Sequence, residues 1–269
     1  MRTWRRRLLA VLREHWVAGA GLLAVAALVV AVNPGAVAVN LARADHTKLL
    51  LMLPDVLLLY VVQGVAWSIA LRGLRAPVGL LQAIRVTFIS QAFVFLPGGD
   101  LWRVPIVKSE DSRPVDHGAL AASVIFQDLV FYFVLGLAMV PAALWFPLFR
   151  VGLAVALVPQ AAIFAILLWP ALYGRLVAWV TSVRPLRRFE PALAILGPSV
   201  RRLARPPVLI PIVVVEAVAA GLAIGLYALA LAAVHVTGVG AGQVAFTYAS
   251  GQIISGLTVL PLRWAPTRG

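Results

Sequence analysis

Residues 208–234 read VLIPIVVVEAVAAGLAIGLYALALAAV, an apolar run in which Glu216 is the single charged residue. A helix of about 20 apolar residues crosses the hydrocarbon core of a bilayer. Five more runs have this character, at 16–32, 49–71, 118–140, 151–172 and 244–262. An open sheet would leave backbone groups unpaired in lipid. We therefore predict an all-α fold, a polytopic transmembrane helical bundle, with a single transmembrane domain over residues 16–262.

The composition indicates the same class and outlines the rest of the chain. Hydrophobic residues make up 62% of the sequence and charged residues 12%, whereas a soluble domain carries about 25% charged residues. Residues 1–15 are predicted to be a basic cytoplasmic arm before a retained first span, since no cleavage site precedes a soluble domain. Residues 175–206, basic and rich in proline, are predicted to be an interfacial or cytoplasmic segment. Residues 263–269 are predicted to be a short tail.

The charge and the side-chain inventory exclude several functions. The net charge is +13, but the basic residues lie between apolar runs, which favours membrane orientation over nucleic-acid binding. There are no cysteines, and the four histidines lack metal-ligand spacing. No phosphate loop, nucleophile elbow or paired-carboxylate motif is present. We expect no enzymatic activity, no cofactor, no metal and no nucleic-acid partner.

The segment Val78–Leu96 decides the topology, because it is long enough to cross the membrane but polar residues interrupt it. If it enters and leaves on one face, 20 Lys and Arg residues lie on the side of the N-terminus and three on the other side. If it crosses fully, the numbers are 9 and 14. Positive residues concentrate in cytoplasmic loops. We predict about six full spans, a re-entrant helix before the Pro97-Gly98-Gly99 break, and both termini on the cytoplasmic side of the cell membrane.

The break itself is the first candidate site. Non-helical backbone at membrane depth persists only inside protein or beside a wet cavity. A polar cavity is therefore expected at Gly98 and Gly99, the alternative being a short interfacial helix with a plain loop after it. Asp100 and Arg103 are three residues apart, so a helical turn would place them on one face. An arginine there suits capture of a headgroup phosphate.

A second set of candidates lies within the spans, where ionisable residues are costly. Gln127 and Asp128 are about ten residues into their span, and Glu216 is about nine residues into its own. We predict that they line an intramembrane polar path, with Arg85 or Arg103 as the cationic partner of Glu216. The alternative is that Asp128 and Glu216 are neutralised acids that bridge two helices.

Two segments carry a family resemblance. Leu96-Pro97-Gly98-Gly99-Asp100-Leu101-Trp102-Arg103 and Ala121-Ala122-Ser123-Val124-Ile125-Phe126-Gln127-Asp128 resemble the membrane region of lysylphosphatidylglycerol synthases and their stand-alone flippase-like relatives. The acid–arginine pair typical of the family's third span stands here as Gln127-Asp128. The position of Glu216 also resembles a family position. The similarity extends over roughly residues 15–262.

The resemblance implies a cytoplasmic-membrane protein that binds or translocates a lipid, either an anionic phospholipid or a polyprenyl-linked glycolipid. Arg103 would then hold the headgroup phosphate. No soluble aminoacyl-transferase domain is recognisable, so lipid aminoacylation is not expected. The alternative function is a non-transporting scaffold for a membrane glycosyltransferase of the cell envelope, and a lipid-modifying enzyme is the least favoured hypothesis.

Overall fold

The structure, a computed structural model, describes residues 34–91, 99–107, 116–184 and 186–258. Within these ranges the chain is helical and contains no strand, as the composition predicted. In chain order the α-helices are α1 (Pro34–Ala42), α2 (His46–Gly73), α3 (Leu80–Ser90), α4 (Arg103–Ile106), α5 (His117–Ala138), α6 (Val140–Trp145), α7 (Pro147–Leu168), α8 (Pro170–Ser182), α9 (Glu190–Leu203), α10 (Pro206–Ala233) and α11 (Ala241–Thr258). Two 3-10 turns, Gly99–Trp102 and Arg187–Phe189, precede α4 and α9.

Four stretches are long and apolar enough to cross a membrane: α2, the continuous pair α5 and α6, α7, and α10. Each corresponds to a run predicted from the sequence, with ends that differ by a few residues. The predicted first run, 16–32, and residues 259–262 of the last one lie outside the described part of the chain. The number of full spans therefore stays a prediction.

The predicted run 151–172 continues past the true end of its helix. Helix α7 begins at Pro147 and ends at Leu168. Trp169 is extended, with φ −90° and ψ 109°, and α8 begins at Pro170. A residue before proline is held out of the α conformation by the proline ring, so the chain breaks here although its apolar character continues.

Helix α2 runs antiparallel to both α5 and α10. Trp67 of α2 bonds to Ser123 of α5, and near the far end of α2 the Asp45 N–H donates to the carbonyl of Ala233 at the end of α10. A Cβ on Gly73 would lie 2.8 Å from Val208 at the start of α10. The C-terminus of α2 and the N-termini of α5 and α10 therefore meet at one end of the bundle.

We call this the basic end, because most described basic residues of the connecting segments are there. Helices α8 and α9 lie at this end: Gly197 of α9 packs on Tyr173 of α8, and Gly118 of α5 packs on Ile195 of α9. The opposite end carries Arg43, Lys48 and Arg150, the three residues that the charge count separated from the other twenty. Which end faces the cytoplasm stays a prediction.

Helix α2 ends in a Schellman turn that uses arginine where glycine is usual. Arg75 has φ 59°, its N–H donates to the carbonyl of Arg72, and the Ala76 N–H donates to the carbonyl of Leu71. The turn sends the chain back toward α3. Helix α3 then packs closely on α2, since a Cβ on Gly64 would lie 2.7 Å from Cα of Ile84.

The segment predicted to be re-entrant is described in part. Val78, Ala83 and Val86 share a buried cluster with Val104 and Val107 around Trp67 and Leu71, in the half of the bundle near the basic end. Residues 92–98, which connect α3 to the 3-10 turn, lie outside the described part of the chain. The re-entrant path and the cavity at Gly98 therefore stay predictions.

Candidate functional site

Arg103 is the most unusual buried residue of the described chain, with 2% of its surface exposed. Its Nη2 donates to Oδ1 of Asp100 at 2.7 Å, its Nη1 donates to Oε1 of Gln127 at 3.0 Å, and its Nε points to Oγ of Ser90 at 3.4 Å. The guanidinium carbon lies 5.5 Å from the centre of the Trp67 ring, in cation–π range. A buried arginine is tolerated only when it is paired and hydrogen-bonded in this way.

The backbone before Arg103 explains the pairing with Asp100. Gly99–Trp102 forms a 3-10 turn that continues directly into α4, and residues three apart in such a turn lie on the same side. Gly99 itself is buried at the start of the turn. Asp100 is 35% exposed, so the ion pair has a buried cation and an accessible carboxylate.

Gln127 connects this ion pair to the rest of the bundle. Its Nε2 donates to the backbone carbonyl of Gln63 on α2 at 3.0 Å and to Oε1 of Glu216 on α10 at 2.8 Å. Its Oε1 accepts from Arg103. Both amide hydrogens and the amide oxygen are therefore used, which fixes the orientation of the side chain. One glutamine links α2, α4, α5 and α10.

Glu216 is completely buried, with no exposed surface. Its Oε1 accepts from Gln127, while its Oε2 has no hydrogen-bond partner among the described residues. An unpaired buried oxygen costs about 1–3 kcal/mol. Glu216 therefore keeps one oxygen that can bond to water or to a polar group of a ligand.

Three supporting hydrogen bonds hold the walls of the site. Trp67 donates from Nε1 to Oγ of Ser123 at 2.9 Å, and the Ser123 hydroxyl donates to the carbonyl of Leu120. The Ser90 hydroxyl donates to the carbonyl of Thr87 at 2.8 Å, which leaves its lone pairs toward Arg103. These bonds fix the indole ring and the hydroxyl that contact the guanidinium.

The network lies deep in the bundle. Gln127 is ten residues beyond His117, which corresponds to about 15 Å along α5 from the basic end, about half of the bilayer core. Arg103 and Glu216 both bond to Gln127, so the three residues lie at about the same level of the bundle. Ionisable groups within a membrane span are costly, which makes Arg103 and Glu216 candidates for a functional site.

The predicted site residues divide into those that the structure brings together and those that it separates. Asp100, Arg103, Gln127 and Glu216 form the connected network, in which Arg103 reaches Glu216 only through Gln127. Asp128 is partly buried and lies within electrostatic range of Asp100, Arg103 and Glu216 without a hydrogen bond to them. Arg85 is exposed on α3 and is not part of the network. Gly98 lies outside the described residues.

Four groups that belong to the site were not predicted from the sequence: the side chains of Trp67, Ser90 and Ser123 and the backbone carbonyl of Gln63. Ser90 and Gln63 interrupt apolar runs, and Ser123 stands in a segment that carries the family resemblance, but none of these signals gave the residue a partner. Trp67 looked like an ordinary apolar residue of a span, because its contact with Arg103 depends on how α2 and α4 pack together.

The buried network and the long apolar helices define a class, that of polytopic helical integral membrane proteins. The chain belongs to the family described as the lysylphosphatidylglycerol synthase TM region, whose model matches residues 16–264. This confirms the resemblance noted from the sequence. No curated protein and no solved structure gives a significant match to the chain.

Proposed function

We propose that the protein binds a membrane lipid through the phosphate of its headgroup at Arg103 and moves that lipid across the membrane. The observation that carries this proposal is the asymmetry of one ion pair: Arg103 is buried, and Asp100 is 35% exposed. A phosphate and a carboxylate accept from a guanidinium in the same forked geometry. A headgroup that arrives at Asp100 can take the place of the carboxylate without leaving a buried charge unpaired.

The other network residues would receive the remaining polar groups of the headgroup. Oε2 of Glu216 is unpaired, and Asp128 lies within electrostatic range of Arg103. These acceptors suit the hydroxyl groups of a glycerol or sugar headgroup. Both anionic phospholipids and polyprenyl-phosphate-linked glycolipids carry a phosphate beside such hydroxyls, so either lipid class fits the site.

One observation favours a second role, that of a non-transporting scaffold for a cell-envelope glycosyltransferase. The guanidinium of Arg103 already contacts four groups, the side chains of Ser90, Gln127 and Asp100 and the ring of Trp67. A network closed in this way also fits a purely structural link between helices. Neither role requires a bond-making step, so we propose a protein that is not an enzyme.

A transport assay separates the two roles. The purified protein is placed in vesicles that contain a trace of phosphatidylglycerol with a fluorophore on one acyl chain, and dithionite bleaching reports the lipid that changes leaflet. We expect Arg103→Met to abolish lipid movement, because the phosphate loses its donor. Arg85→Met removes the same charge from the exposed face of α3 and is expected to keep the wild-type rate.

The assay also shows what would contradict transport. Equal lipid movement in wild type and Arg103→Met, with both proteins folded by circular dichroism, would remove Arg103 from the path. Vesicles with wild-type protein that bleach no further than empty vesicles would favour the scaffold.

A further inference from the structure

A second basic feature lies apart from the Arg103 network, at the corner where α9 leads into α10. Pro198, Arg201, Arg202 and Arg205 line an open groove of about 540 Å³. None of the three guanidinium groups has a carboxylate partner in the described part of the chain, where the one ion pair of this region joins Arg187 to Glu190. Three arginines around one groove, none of them paired with a carboxylate, attract an anion.

Arg201 is held in place by contacts on two sides. Its Nη1 donates to the backbone carbonyl of Leu167 at 3.4 Å, and its guanidinium carbon lies 5.6 Å from the centre of the Tyr173 ring. Its other nitrogens are without a partner among the described residues. A guanidinium that is fixed before the ligand arrives loses less side-chain entropy on binding.

Tyr173 fixes the helix that carries these arginines. Its hydroxyl donates to the carbonyl of Leu193 and accepts from the N–H of Gly197 at 3.1 Å. Burial raises the pKa of the Tyr173 hydroxyl above its usual value, so the group stays protonated and able to donate. A Cβ on Gly197 would lie 2.4 Å from the ring, which shows how closely α8 and α9 pack.

An apolar groove adjoins this site along the chain. Leu167, whose carbonyl binds Arg201, is followed by a corner with a groove of about 350 Å³, lined by Ala165, Leu168, Trp169 and Pro170. Trp169 is 64% exposed. Tryptophan at the end of an apolar span is typical of the membrane interface. The arginine-lined groove and the apolar groove are therefore connected through the contact between Arg201 and the carbonyl of Leu167.

We propose that this corner is a second lipid site, where Arg201, Arg202 and Arg205 bind the phosphate of an anionic phospholipid and one acyl chain lies along Trp169. The two grooves together match an amphiphile better than a free phosphate, which needs no apolar surface. The site is independent of the lipid role of Arg103, since the two share no residue.

The test follows quenching of tryptophan fluorescence by phosphatidylglycerol with brominated acyl chains, added to the full-length protein in neutral detergent. The part of the quenching that is lost in Trp169→Phe comes from Trp169, so it reports lipid bound in the groove beside this residue. We expect Arg202→Gln/Arg205→Gln to shift this component to at least about tenfold higher lipid concentration, because two charge-assisted contacts are lost. Arg175→Gln/Arg184→Gln removes two exposed charges elsewhere at the basic end and is expected to leave the curve unchanged.

Four outcomes would overturn the site. An unshifted curve in Arg202→Gln/Arg205→Gln, or equal shifts in both double variants, would show that the groove arginines hold no headgroup. Equal quenching by brominated phosphatidylcholine would remove the preference for an anionic lipid. Glycerol 3-phosphate that competes as strongly as the lipid would identify a free-phosphate site instead. The single variant Arg205→Gln, exposed and outside any packing contact described above, is expected to give a smaller shift in the same direction.

Discussion

Gln127 on α5 donates to Glu216 on α10 at 2.8 Å, and the same side chain accepts from Arg103 on its other atom. A single amide therefore lies between a buried cation and a buried acid and forms a hydrogen bond with each of them. Among the described residues, no other side chain hydrogen-bonds to both Arg103 and Glu216. The connection between the two residues therefore depends on Gln127.

Replacing Gln127 with leucine is expected to destabilise the protein by about 3 kcal/mol, because Arg103 and Glu216 each lose a buried partner. The measurement is the free energy of unfolding in mixed micelles. Gln160→Leu on α7 is the matched control. The amide of Gln160 is buried with neither atom hydrogen-bonded among the described residues, so its removal is expected to be neutral or stabilising by about 1 kcal/mol. Equal losses in both variants would mean that Gln127 serves only as packing.

The approach of α3 to α2 depends on Gly64. An added Cβ would lie 2.7 Å from backbone Cα of Ile84, so Gly64→Ala is expected to push α3, with Ser90, away from Arg103. Overpacking of this kind costs about 1–3 kcal/mol. We expect a lower melting temperature in detergent. Gly174→Ala on α8, where no described atom lies within 4 Å, is expected to melt at or slightly above the wild-type temperature. A Gly64→Ala variant as stable as wild type would contradict the close packing.

Arg75 offers a stabilising substitution. A non-glycine residue at φ 59° carries a cost of about 1–2 kcal/mol. Arg75→Gly is therefore expected to raise the free energy of unfolding by about 1 kcal/mol. Arg72→Gly removes the same charge from the last turn of α2, where glycine is unfavourable, and is expected to lower it by about as much. Destabilisation by Arg75→Gly would show that the arginine side chain contributes more than its backbone costs.

The topology can be read by labelling, because the sequence has no native cysteine. Two single-cysteine variants mark the two ends of the bundle. Leu148 is 79% exposed at the opposite end, and Ser182 is exposed at the basic end. We expect an impermeant maleimide to label Leu148→Cys in whole cells and Ser182→Cys only after lysis. The reverse pattern would invert the predicted orientation.

The helices and the charged members of the site could be predicted from the sequence, but their partners could not. Hydropathy predicted the runs that became α2, α5, α7 and α10, because an apolar helix of that length has few other stable environments. The cost of burying charge pointed to Arg103 and Glu216.

No local feature of the sequence predicts which of Arg85 and Arg103 is buried in the network. Both follow the second span and both could have reached Glu216. Which one turns inward is decided by the packing of α3 on Gly64 and by the 3-10 turn at Gly99, and these depend on contacts between segments distant in sequence. The roles of Trp67 and Ser123 were hidden for the same reason.

The most direct test of lipid binding at Arg103 is the melting temperature of Asp100→Asn in detergent with added lipid. This variant deprives the buried guanidinium of its carboxylate, and a headgroup phosphate can replace it. We predict that phosphatidylglycerol raises the melting temperature of Asp100→Asn by about 5 °C more than diacylglycerol, which has the same acyl chains and no phosphate, as expected for saturating binding worth about 2 kcal/mol. Wild type should show a smaller difference and Arg103→Met none. Equal stabilisation of Asp100→Asn by the two lipids would contradict phosphate binding at Arg103.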